Sequence, residues 1–101
     1  MKNNDEIQLS VLPEGIKYWH KKTENKYNII FHNENGPAIE WPDGSECWYK
    51  DNLLHNENGP AVKYADGSEE YWLNGKQYTK EQYYNELEKN NKKKNKESVK
   101  K

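Results

Sequence analysis

The sequence predicts an all-β protein, a single antiparallel meander of stacked hairpins closed by a C-terminal capping α-helix. Three observations predict it. A seven-residue block, His32-Asn33-Glu34-Asn35-Gly36-Pro37-Ala38, recurs letter for letter as His55-Asn56-Glu57-Asn58-Gly59-Pro60-Ala61. Asp43-Gly44-Ser45 recurs as Asp66-Gly67-Ser68 at the same offset of 23 residues. Beyond Tyr78 the pattern changes to helical spacing. Self-similarity at a fixed short period is the mark of a repeat architecture.

The elements follow in order. Residues 1–8 carry little apolar character and read as a flexible N-terminus. The hairpin repeats occupy residues 9–78. A degenerate first copy begins at Glu14-Gly15, with Trp19 in the place of Trp48 and six extra residues before His32. Between the two clear copies Ile39 matches Val62, Trp41 matches Tyr64, Trp48 matches Tyr71 and Tyr49 matches Trp72. A truncated copy ends at Asn74-Gly75-Lys76-Gln77-Tyr78.

Asp-Gly and Asn-Gly are favoured two-residue hairpin turns, because their positive φ angles match the strand twist. With Asp43-Gly44 at such a tip, Ile39 falls opposite Trp48 and Glu40 opposite Cys47. With Asp66-Gly67 at the next, Val62 meets Tyr71, Ala61 meets Trp72 and Lys63 meets Glu70. Asn74-Gly75 sets Tyr71 beside Tyr78. Six to eight strands result. Trp19, Trp48 and Tyr71 form one aromatic row taken as core, and Tyr49 and Trp72 point the other way by strand alternation. Pro37 and Pro60, lacking an N–H, suit the first position of a strand. Each Asn-Gly-Pro-Ala element then reverses the chain between hairpins.

Thr79-Lys80-Glu81-Gln82 fits a capping box with Thr79 as N-cap. Tyr83 and Leu87 follow on one helical face, giving a helix over 79–91. Residues 92–101 are Lys-rich with almost nothing apolar, which predicts a disordered tail.

Charge divides the chain in the same place. All sixteen basic residues are Lys. Residues 1–88 hold nine Lys against sixteen Asp and Glu, a net of −7, and residues 89–101 hold seven Lys against Glu97, a net of +6. No apolar run approaches the ~20 residues of a membrane span. The start lacks the apolar stretch of a signal peptide. One Cys and no export signal suggest a reducing, cytoplasmic setting.

Residues able to carry chemistry are few. His32, Glu34, His55 and Glu57 have ligand-type side chains, but equivalent residues one unit apart sit two strand steps away, about 10 Å. Zinc needs ligand atoms at ~2.0–2.1 Å from one ion. They read as turn residues, and no metal or cofactor is implied. Cys47 lies mid-strand near Glu40, whose charge disfavours the thiolate a nucleophile requires. No phosphate loop, nucleophile elbow or metalloprotease helix is present, so no catalytic residue is assigned.

Trp41-Pro42-Asp43-Gly44-Ser45, an aromatic a few residues on, a second turn and a Gly-containing step into the next strand resemble the MORN repeat. The His-Asn-Glu-Asn-Gly-Pro-Ala block is similar to divergent MORN-like repeats of small bacterial and viral proteins, some of them described as antitoxins. The resemblance covers roughly residues 10–78. The usual Tyr-x-Gly after the turn is absent, and Asn-Gly-Pro replaces His-Gly-x-Gly. It implies stacked hairpins in one elongated sheet and a binding scaffold without catalysis.

One short helix covers one face of a sheet, which leaves aromatic residues open on the other. Exposed aromatics rimmed by charge mark interfaces. The expected partner-binding residues are Tyr18, Trp41, Tyr49 and Trp72, with the acidic Glu40, Glu46, Glu69 and Glu70. The expected function is a non-enzymatic protein-binding module, such as an antitoxin or a viral counter-defence inhibitor. Its partner would be another protein, with a nucleic-acid-processing enzyme as one candidate, or a second copy in a homodimer. The alternative is a nucleic-acid or phosphate-ligand binder using the Lys-rich tail.

Overall fold

The computed structural model describes residues 6–23 and 28–99, with side-chain environments through Asn90. It is an all-β meander with one C-terminal helix. The strands are β1 (Ile7–Val11), β2 (Lys17–Lys21), β3 (Ile39–Glu40), β4 (Glu46–Cys47), β5 (Tyr49–Lys50), β6 (Leu53–Leu54), β7 (Val62–Lys63), β8 (Glu69–Leu73) and β9 (Lys76–Tyr78). Helix α1 spans Lys80–Val99. A seven-stranded sheet runs β1-β2-β3-β4-β7-β8-β9, and β5-β6 is a separate hairpin. Every pairing is antiparallel.

The turn chemistry departs from expectation at Asp43-Gly44 and Asp66-Gly67. Each is part of a three-residue loop. Trp41 N–H donates to Ser45 O at 3.0 Å and Gly44 N–H to Trp41 O at 3.0 Å, with Gly44 at φ 96°. Tyr64, Ser68 and Gly67 (φ 95°) repeat this, and Leu12, Ile16 and Gly15 (φ 97°) repeat it again in the first unit. This is a type I turn closed by a left-handed glycine. Asp43 and Asp66 accept the Ser45 and Ser68 N–H groups and so fix the loop.

One extra loop residue shifts every partner by one and moves side chains between faces. Ile39 therefore pairs with Cys47, not Trp48, and Glu40 with Glu46, not Cys47. Val62 pairs with Glu70, not Tyr71, and Lys63 with Glu69, not Glu70. Ala61 donates its N–H to Glu70 O rather than meeting Trp72. Asn74-Gly75 is the expected two-residue turn, at φ 50° and 83°, and Tyr71 pairs with Tyr78. Asp51-Asn52, both at positive φ, forms a second such turn between β5 and β6.

The repeated His-Asn-Glu-Asn-Gly-Pro-Ala loops secure one hairpin to the next. His55 Nδ1 accepts the Asn74 N–H at 2.8 Å, and His32 Nδ1 accepts the Asp51 N–H at 3.0 Å. Each histidine thus holds the first residue of a two-residue turn, while its Nε2 faces Glu57 or Glu34. Within each loop the asparagine side chain braces the backbone. Asn56 donates to Pro60 O and accepts from Asn58 N–H, as Asn33 does with Pro37 and Asn35. The strands that follow begin at Ile39 and Val62, two residues beyond each proline.

Helix α1 opens with the expected reciprocal cap. Thr79 N–H donates to Gln82 Oε1 and Gln82 N–H to Thr79 Oγ1. The helix then runs to Val99, eight residues past the expected end, and takes in most of the segment read as a disordered tail. No Gly or Pro interrupts residues 80–99, and Lys and Glu are good helix formers. Residues 100–101 lie outside the described residues. At the other end, residues 1–5 of the expected flexible segment also lie outside them, while Ile7 and Gln8 belong to β1.

The core sits where helix meets sheet. Tyr71, Leu73 and Tyr83 are buried, with Tyr78 and Leu87 packed against them. Tyr83 is wholly enclosed, its hydroxyl donating to Asn56 O and accepting the Gly59 N–H. Trp19 and Trp48, expected to share this core, are only half-buried, because α1 reaches Tyr71 alone of that row. The Trp48 indole N–H is enclosed without an acceptor among the described residues.

Candidate functional site

Cross-strand partners share a face, so the register sorts the sheet into rows. One row is Ser10, Tyr18, Ile39, Cys47, Val62 and Glu70. The next, on the opposite face, is Val11, Lys17, Glu40, Glu46, Lys63 and Glu69. Tyr71 lies on this second face, two residues from Glu69, and α1 packs there. Among the described residues no helix covers the first face.

The uncovered face is aromatic. Tyr18, His20, Phe31 and Tyr49 form a chain of ring contacts with centroid distances of 5.1, 5.8 and 5.4 Å. Beyond it lies a groove of about 320 Å³ bordered by Trp41, Cys47, Leu54, Val62, Tyr64 and Glu70. Glu70 is held by two donors. Tyr64 Oη donates to Oε2 and Trp72 Nε1 to Oε1, both at 2.8 Å. The hydrogen bond to Glu70 pushes the Tyr64 phenol up from its ordinary value.

The eight expected partner-binding residues therefore divide. Tyr18, Trp41, Tyr49, Trp72 and Glu70 line the uncovered face, and all five are half-buried. Glu40, Glu46 and Glu69 lie in the opposite row, where Lys17 pairs with Glu40 and Lys63 with Glu46 and Glu69, while Glu40 and Glu46 face each other as a like-charge pair. The Lys–Glu pairs across strands are mutually stabilising and the Glu40–Glu46 pair opposes them. Sequence reasoning missed Phe31, Leu54 and Tyr64 on the aromatic face. Tyr64 was findable, since it stands 23 residues from Trp41.

Cys47 lies at the groove floor. Burial pushes its thiol up, and Glu70 pushes it in the same direction. The protonated form is a poor nucleophile. Alkylation of Cys47 by iodoacetamide at pH 7.5 is expected to be at least ~10-fold slower in the folded chain than in urea. Mass spectrometry of timed samples measures it, and equal rates would refute a half-buried thiol held protonated. Among the described residues no group of three or more His, Cys, Asp or Glu is placed to hold a metal ion. No helix there is long and apolar enough to cross a membrane.

Compared with protein-family models, curated proteins and solved structures, the chain matches none.

Proposed function

We propose that the chain is a non-enzymatic protein-binding module of the MORN-like kind, acting in the cytoplasm as an inhibitor such as an antitoxin or a viral counter-defence protein. One observation carries the reading. Helix α1 covers the Tyr71 face and leaves the opposite face, with Tyr18, Phe31, Tyr49, Tyr64 and Trp72, unshielded. Aromatic residues partly desolvated on a rigid sheet are the side chains that dominate interface energies. The acidic balance of residues 1–88 adds electrostatic steering toward a basic partner, such as the nucleic-acid channel of a processing enzyme.

Site-specific photocrosslinking tests the proposal. Benzoylphenylalanine in place of Tyr64 reports on the aromatic face, and the same group in place of Lys17 reports on the other. In native host cytosol, Tyr64-linked adducts of one discrete mass are expected, with none from position 17. An adduct of twice the chain mass identifies a homodimer using this face. No adduct, or equal adducts from both positions, refutes the reading.

A further inference from the structure

The groove on the uncovered face has a chemical identity that its neighbour lacks. It forms where β4 meets β7, between two hairpin units, and equivalent residues border the junction of β2 and β3. There Tyr18 stands for Cys47, Phe31 for Leu54, Ile39 for Val62 and Trp41 for Tyr64, and Cys47 stands where the first groove has Glu70. The two grooves share aromatic and apolar walls. By the same correspondence Glu14 stands for Asp43 and Glu40 for Lys63, so what sets the β4–β7 groove apart is the Glu70 carboxylate, where the β2–β3 junction has a thiol.

Resting on the protein-binding reading above, we infer that the Trp41–Tyr64 groove takes the guanidinium of an arginine side chain presented by the partner, stacked on the rings and paired with Glu70.

The charge of Glu70 is unspent. Its two donors, the Tyr64 hydroxyl and the Trp72 indole N–H, are neutral, and no ion pair among the described residues involves it. A carboxylate offers about four lone-pair sites, so a bidentate partner can still bind. The donors fix the carboxylate before a ligand arrives, which lowers the ordering cost of binding. Asp43 borders the groove as a second carboxylate, and Glu46 and Lys63, which reach its rim from the opposite row, are cross-strand partners of opposite charge. The groove therefore carries uncompensated negative charge. Its floor of Cys47, Leu54 and Val62 is apolar, and Val62 is 5% exposed.

Arginine suits these walls better than lysine. Its planar guanidinium stacks on aromatic rings while its paired N–H groups meet a carboxylate, and it sheds water more readily than a compact ammonium. Tyr64, at 44% exposure, leaves one ring open to receive it.

The experiment titrates the full-length, ¹⁵N-labelled chain with acetyl-Gly-Arg-Gly-amide, followed by NMR. The same peptide with lysine, and with citrulline as the neutral isostere, provides the comparison. Shifts are expected to concentrate on the Trp41 and Trp72 indole N–H signals. Glu70→Gln is expected to weaken the arginine peptide at least ~10-fold, the loss of one charged hydrogen-bonded pair. Trp41→Ala is expected to weaken it severalfold through loss of the stacking wall, and Glu81→Gln on α1 to leave it unchanged. Citrulline or lysine binding as tightly as arginine overturns the inference, as do shifts centred on Trp19 and Trp48. The peptide comparison on the unmodified chain decides even where a variant fails to fold. Crosslinking at position 64 without arginine binding sinks this inference alone, and arginine binding without crosslinking sinks the protein-binding reading alone.

Discussion

Tyr83→Ala is expected to remove ~3–5 kcal/mol of folding stability, as truncation of a buried aromatic does. A domain of this size holds only ~5–15 kcal/mol in total, so the variant should be largely unfolded at moderate temperature. The reason is position as much as size. Tyr83 meets Tyr71 in a tilted ring contact at 4.8 Å and Tyr84 edge-on at 4.9 Å. Its hydroxyl also ties α1 to the loop before β7 through Asn56 O and Gly59 N–H. Tyr83→Phe separates the two contributions. It keeps the ring, loses the hydroxyl and leaves a buried carbonyl and N–H unpaired, at ~1–3 kcal/mol for each. Urea titrations followed by tryptophan fluorescence measure both. A Tyr83→Ala midpoint close to that of the parent would mean that α1 does not stabilise the sheet.

The second large effect is expected at Asn56. Asn56→Ala removes the brace across its loop and strands the partly buried Pro60 carbonyl and Asn58 N–H, at ~1–3 kcal/mol in all. Asn33→Ala deletes the same two hydrogen bonds from an identical heptapeptide. Its cost is expected to be clearly smaller. Asn56 is 6% exposed beneath Tyr83, whereas Asn33 is half-buried and water can replace its bonds. Equal losses from the two variants would show that the loops depend on local geometry alone and not on the cover over them.

These residues show which parts of the architecture were legible. The unit length, the hairpins and the Asn74-Gly75 turn follow from residue identity, because few side chains tolerate positive φ. The Thr79 cap follows from two polar residues three apart. Loop length was misread, since Asp-Gly serves two-residue and three-residue loops alike. The deciding signal was Pro42. A two-residue turn at Asp43-Gly44 would place a residue without an N–H in the paired strand, whereas a type I turn favours Pro at its second position. Pro13 repeats that signal in the first unit.

The candidate site was half legible for a related reason. Alternation along one strand needs no register, so Tyr49 and Trp72 fell correctly opposite Trp48 and Tyr71. The acidic residues were grouped by charge instead, and adjacent Glu69 and Glu70 cannot share a face of one strand. The length of α1 past residue 91 was hidden because that segment has no apolar face to reveal a helical period.

The two ends of the array differ, and the difference gives unfolding a direction. At the C-terminal end Tyr83 locks the last hairpins and the preceding loop together, while among the described residues β1 pairs only with β2 and leaves Leu9 and Val11 about half exposed. In a stack where each unit leans on its neighbours, opening spreads from the least anchored edge. The chain is therefore expected to open from the β1–β2 hairpin, which joins β3 through two paired positions, toward the helix. The groove at β4 and β7 lies nearer the anchored end, so the first hairpin can open while the groove keeps its shape.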